Sequence, residues 1–90
     1  MRLDKFLTVA RLVKQRARAK EMCDAGHVKI GGKSVKGSRN VDEGDTVDLT
    51  FPGRRIVVRV AAVPATKSVS KETARTLYEV LSEERIGKLE

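Results

Sequence analysis

Gly26-His27-Val28-Lys29-Ile30-Gly31-Gly32-Lys33-Ser34-Val35 is the stretch in which the chain changes period. Val28 and Ile30 alternate with His27 and Lys29, the pattern of a strand with one buried face. Gly31-Gly32 supplies two residues free to take positive φ, as a tight hairpin turn requires, and Val35 follows in a second extended piece. Gly26 suits the left-handed residue that commonly stops a helix. The chain before Gly26 is therefore read for helical spacing, and the chain after it for alternation.

Upstream, Leu3, Phe6, Leu7 and Ala10 recur at i, i+3, i+4 and i+7, one buried helical face, with Arg2, Lys5 and Arg11 off that stripe. A second helix is expected from about Gln15 to Ala25, burying Ala19, Met22 and Cys23. The short connection through Leu12, Val13 and Lys14 allows only two helices packed on each other. Downstream, Lys36-Gly37-Ser38-Arg39-Asn40 reads as a basic loop and Asp42-Glu43-Gly44-Asp45 as an acidic turn. Val47, Leu49 and Phe51 then alternate in one strand, Pro52-Gly53-Arg54-Arg55 turns the chain, and Ile56 to Val60 forms another. Pro64 to Ser70 is a polar connection. Ser70 suits the cap of a last helix in which Ala74, Leu77, Tyr78 and Leu81 share a face, and the tail from Ser82 to Glu90 is expected to fray. The reading is an α+β single domain over residues 1–90. It has two N-terminal helices on a mostly antiparallel sheet of four or five strands, plus a C-terminal helix.

Charge decides the class of partner. Residues 1–40 hold eleven Lys/Arg against three Asp/Glu, and residues 41–90 hold eight against nine, so the net +7 is a local +8 and −1. A positive field gathered in one structural unit suits a phosphate backbone. Aromatic residues are 3% of the chain, only Phe6, Phe51 and Tyr78, which argues against base-stacking capture of single strands and for recognition of backbone and shape. One cysteine, Cys23, rules out an internal disulfide and a cysteine metal cluster and fits a reducing cytosol. No apolar run reaches membrane-spanning length, so a soluble cytoplasmic protein with no membrane partner is expected.

Arg16 and Lys20 lie four apart on one side of the second helix, near its positive N-terminal end, where backbone N–H groups favour phosphate. Arg2 and Lys5 belong to the partner helix, and Lys36 and Arg39 to the loop after the hairpin. The planar fork of arginine grips two phosphate oxygens, so Arg2, Arg16 and Arg39 are the leading positions, with Lys5, Lys14, Arg18, Lys20 and Lys36 in electrostatic support. Asp4 reads as a first-turn residue near the positive dipole end, His27 lacks a second ligand at metal spacing, and Cys23 reads as a small buried apolar residue. Arg54 and Arg55 are assigned to an exposed turn outside the site, and Tyr78 to the core.

Arg2-Leu3-Asp4-Lys5, the Arg16 to Ala19 segment, Gly26-His27-Val28 with its Gly31-Gly32 turn, and Val41 followed by Gly44-Asp45 resemble, in order and spacing, the S-four type RNA-binding domain. This domain is also called the alpha-L motif. The resemblance covers about residues 1–50, with residues 51–90 as a strand and helix extension; the family's usual Asn-Gly turn is Gly31-Gly32 here. It implies that Arg2 and Arg16 contact ribosomal RNA or tRNA. Over the whole chain the resemblance extends to stand-alone bacterial factors of ribosome-associated quality control. Those factors imply binding to large-subunit rRNA and peptidyl-tRNA on the large ribosomal subunit, help to a partner protein that adds C-terminal alanine tails, and a monomer off the ribosome. No cofactor, metal or catalytic residue is implied. A heat-shock protein of the same domain family that recycles detached large subunits is the nearest alternative, although a strongly basic C-terminal extension would be expected of it. An RNA-binding appendage of an RNA-modifying enzyme is the third reading, and no nucleophile–base set, paired carboxylates or Gly-rich phosphate loop supports it.

Overall fold

The two helices form where the spacing places them. In the computed structural model, which describes residues 1–65 and 69–86, α1 spans Leu3–Val9 and α2 spans Arg16–Asp24. Leu3, Phe6 and Leu7 are fully buried, and Ala10 caps the C-terminal end of α1 in the core. Ala19, Met22 and Cys23 form the buried face of α2, which packs against α1. Gly26 takes φ +82° and turns the chain into the sheet.

The sheet begins with β1 (Val28–Ile30) and β2 (Lys33–Ser34), a hairpin whose Gly31 and Gly32 have φ of +61° and +82°. Both angles are positive, as a type I′ turn demands, and both belong to residues with no Cβ to clash. β3 (Thr46–Phe51) and β4 (Arg54–Val60) pair antiparallel, and β3 also pairs with β1. Val28, Val47, Leu49, Val58 and Val60 point to the face covered by the helices and are all but inaccessible to water. Burying each such side chain contributes about 1.5–3 kcal/mol, so this face holds the domain together.

The C-terminal region departs from the sequence reading. Ser70 does cap a helix, accepting a hydrogen bond from the Thr73 amide at 3.1 Å, but α3 is only Lys71–Arg75. The predicted helical face of Ala74, Leu77, Tyr78 and Leu81 is broken after Leu77: Tyr78–Arg85 forms a strand, β5, on the outer edge of β4. The sheet order is β2-β1-β3-β4-β5. The same residues fit both periods, since Tyr78 and Val80 also alternate, and the open hydrogen-bonding edge of β4 decides between them. Tyr78 and Val80 face Val60 and Val58, and Leu81 is the extra residue of a β-bulge. Ser82 to Arg85, expected to fray, belong to this strand, and Ile86 N–H donates to the Gly53 carbonyl at 3.1 Å; residues 87–90 lie outside the described residues. Arg55, assigned to a turn, instead bridges three strands through Asp48 and Glu84, and this pairing holds the Asp48 carboxyl below its ordinary range.

Candidate nucleic-acid interface

The basic side chains of the N-terminal half are brought together by backbone bonds. Leu3 N–H donates to the Arg39 carbonyl at 2.7 Å, Asp4 N–H to the Gly37 carbonyl at 3.1 Å, and Val41 N–H to the Met1 carbonyl at 3.0 Å. Arg2 and Asn40 form a bridge alongside. The start of α1 is thus laced to the basic loop, and Arg2 and Arg39 become neighbours. Lys36 enters through the same turn, its carbonyl accepting from the Arg39 amide at 3.1 Å.

Asp4 ties the second helix to this cluster. It is the one polar or charged side chain buried among the described residues, 2% exposed, and two arginines reach it. Arg2 Nη2 donates to Asp4 Oδ2 at 3.1 Å, and Arg16 Nε lies 3.5 Å from Oδ1. A buried carboxylate needs compensating charge: Arg2 hydrogen-bonds Asp4 Oδ2, while Arg16 faces Oδ1 as an ion pair only, and Oδ1 accepts no hydrogen bond among the described residues. The arginine side chains stay about half exposed, 46% and 52%, with N–H groups left for an outside acceptor. Gly37 makes room for this arrangement: a Cβ there would stand 3.2 Å from Asp4 Cβ. α2 begins at Arg16 with no side-chain cap from Gln15, so the first-turn amides beside Arg16 have no side-chain acceptor from the cap.

Of the eight cations singled out from sequence, the structure gathers Arg2, Arg16, Lys36 and Arg39 around the Asp4 corner. Lys20 is exposed one turn further along α2, Lys5 is half-buried on α1, and Lys14 is exposed in the connection between the helices. Arg18 lies elsewhere. It sits 4.0 Å from Glu21 and, with Met22, Ala25, His27 and Phe51, lines a groove of about 650 Å³ against the β3–β4 turn. The role of Asp4 as shared counter-ion is what sequence reasoning missed. Its available signal was position, since Asp4 follows the buried Leu3 and precedes Leu7 by three, at the margin of the buried stripe. Cys23 is buried and its thiol is pushed up to about 11, first by burial and then by Asp4 and Asp24, so it stays protonated. No group of three or more metal-ligating side chains converges among the described residues.

A basic corner of two helices and a hairpin, set on a five-stranded sheet, defines an RNA-binding module of the S4 class, and residues 1–47 match the S4 domain family. The chain is 46% identical over its whole length to an RQC P-site tRNA stabilizing factor of Halalkalibacterium halodurans, with all of that protein covered. It is 36% identical over 83 residues to heat shock protein 15 of Escherichia coli, spanning 92% of this chain but 62% of that one. Heat shock protein 15 of Vibrio cholerae superposes with a TM-score of 0.83 at 27% identity, covering 91% of this chain and 82% of that chain. The chain belongs to the family of RQC P-site tRNA stabilizing factors, the RqcP proteins.

Proposed function

We propose that this protein is a non-enzymatic, cytoplasmic factor that binds large-subunit rRNA and peptidyl-tRNA on the large ribosomal subunit and holds that tRNA in place during ribosome-associated quality control. The observation that carries the reading is the arginine pair, Arg2 and Arg16, fixed by one buried carboxylate and flanked by Arg39. Guanidinium groups held in register on a rigid corner meet phosphate with little loss of side-chain entropy. Lys5, Lys14, Lys20 and Lys36 add long-range attraction to that corner, and Arg18 adds it from the opposite flank of α2. Binding one ribosomal state in preference to others is a sufficient mechanism: it raises the lifetime of the bound tRNA and so favours repeated tRNA delivery by a tailing partner. The products are C-terminal alanine tails on stalled chains.

The full-length match to the tRNA-stabilizing factor, against 62% coverage of heat shock protein 15, supports this reading over subunit recycling. The test is to sediment cell lysate, follow the protein across the gradient, and compare tails on a stalled reporter with and without it. Co-migration with large subunits and shorter tails in its absence are expected. Migration with small subunits, or unchanged tails, would overturn the assignment.

A further inference from the structure

Six described residues have positive φ, and five of them are glycines: Gly26, Gly31, Gly32, Gly44 and Gly53. The sixth is Arg11, at φ +61°. It occupies the position just beyond the C-cap of α1, where the chain closes a left-handed stop. Arg11 N–H donates to the Thr8 carbonyl at 3.0 Å, Leu12 N–H to the Leu7 carbonyl at 2.9 Å, and Val13 N–H to the same Leu7 carbonyl at 3.1 Å. Glycine is the usual occupant of this position because a Cβ crowds the backbone in the left-handed region. The protein uses glycine at every other such corner, so the side chain here is kept against a conformational preference.

Among the described residues, no hydrogen bond or ion pair engages that side chain. Arg11 is exposed, and among the described residues no carboxylate lies within ion-pair distance of it, whereas Arg2, Arg16 and Arg18 each have one. A cation beyond a helix C-terminus is stabilised by the free carbonyls there. At this end the Leu7 and Thr8 carbonyls are taken by the three backbone amides, and among the described residues the Arg11 guanidinium donates to no helix carbonyl. Arg11 also opens the connection that carries exposed Lys14 and leads into Arg16.

We propose that Arg11 is a further RNA-contacting residue, gripping a phosphate from the left-handed corner between α1 and α2. The inference rests on the RNA-binding reading above and adds a residue that the spacing argument had only placed off the buried stripe. Its signature is a pair of opposite effects that a structural role would not produce. In the full-length protein, Arg11→Gly should melt at the same temperature or higher, yet bind purified large ribosomal subunits about 3- to 10-fold more weakly. Its log–log salt slope should shrink by a little under one, the share of a single phosphate. Arg11→Asn, whose side chain tolerates the left-handed region, should behave alike, and Arg11→Lys should recover most of the slope. Deproteinised large-subunit rRNA serves as a second probe. If the wild type binds rRNA but not subunits, the ribosomal reading fails while the Arg11 comparison is still made on rRNA. If wild type and Arg11→Gly share one affinity and one salt slope on whichever probe binds, or if neither probe is bound, the proposal is wrong.

Discussion

Removing both arginines that reach Asp4 should destabilise the protein far more than the two single changes together. The carboxylate is 2% exposed and its charge is balanced by Arg2 and Arg16, whose own side chains are half in water. Arg2→Ala or Arg16→Ala alone leaves one guanidinium on the carboxylate, so each should cost about 1 kcal/mol, the range of a partly exposed ion pair. Arg2→Ala with Arg16→Ala leaves a buried, uncompensated charge, and the cost should rise to about 3 kcal/mol or more. At about 4–8 °C per kcal/mol for a domain of this size, the double variant should melt some 12–24 °C below the wild type. Asp4→Asn keeps the shape and removes the charge, so adding it to the double variant should restore about 2 kcal/mol. Urea unfolding of the full-length protein, followed by circular dichroism, gives all these values without RNA present. Strict additivity of the two arginine changes, or no recovery on adding Asp4→Asn, would show that Asp4 does not depend on the pair and would refute the shared counter-ion argument.

Gly37→Ala should disturb the arginine pair without touching it, because the new Cβ would lie 3.2 Å from Asp4 Cβ and 3.3 Å from its Oδ2 and push the buried carboxylate aside; a loss of about 1–2 kcal/mol, with weaker RNA binding, is expected in unfolding and binding titrations. The Cys23 thiol is pushed up from 9.0 to about 11 in the folded state, so its contribution to stability is intact below pH 9 and is lost as pH rises towards 11. Melting curves across that window should fall more steeply for the wild type than for Cys23→Ala, and parallel curves would contradict the burial argument. If about 4 to 6 phosphates are contacted, rRNA affinity should fall with salt at a log–log slope near −3 to −5. Arg16→Glu should weaken binding strongly while Arg75→Glu on α3 leaves it unchanged, and equal losses would show that the basic corner is not a defined site.

The helices and the first hairpin were legible because local chemistry and tertiary demand agree there. Leu3, Phe6, Leu7 and Ala10 fit one period only, and Gly31-Gly32 fits one turn class. The segment after Leu77 departs from the helical reading for the opposite reason. Ala74, Leu77, Tyr78 and Leu81 satisfy helical spacing, Tyr78 and Val80 satisfy strand alternation, and the choice rests on the distant edge of β4. At the candidate site, composition showed the positive half of the chain, but not that one carboxylate orients two of its arginines. Charge counts treat Asp4 as a subtraction from the field. In the fold it is the buried group on which two of the field's arginines converge. Arg18 follows from the helical period instead: two residues from both Arg16 and Lys20 on α2, it falls on the other flank, where it lines the groove with Met22 and Phe51.

The central claim is preference for a large subunit that still carries its peptidyl-tRNA, and the most direct test is equilibrium binding of the labelled protein to purified large subunits with and without that tRNA. The protein should bind the tRNA-bearing particle at least about tenfold more tightly, equivalent to about 1.4 kcal/mol of added contact, with the difference abolished by Arg2→Ala or Arg16→Ala. Equal affinity for the two particles would contradict it, whatever the strength of binding to either.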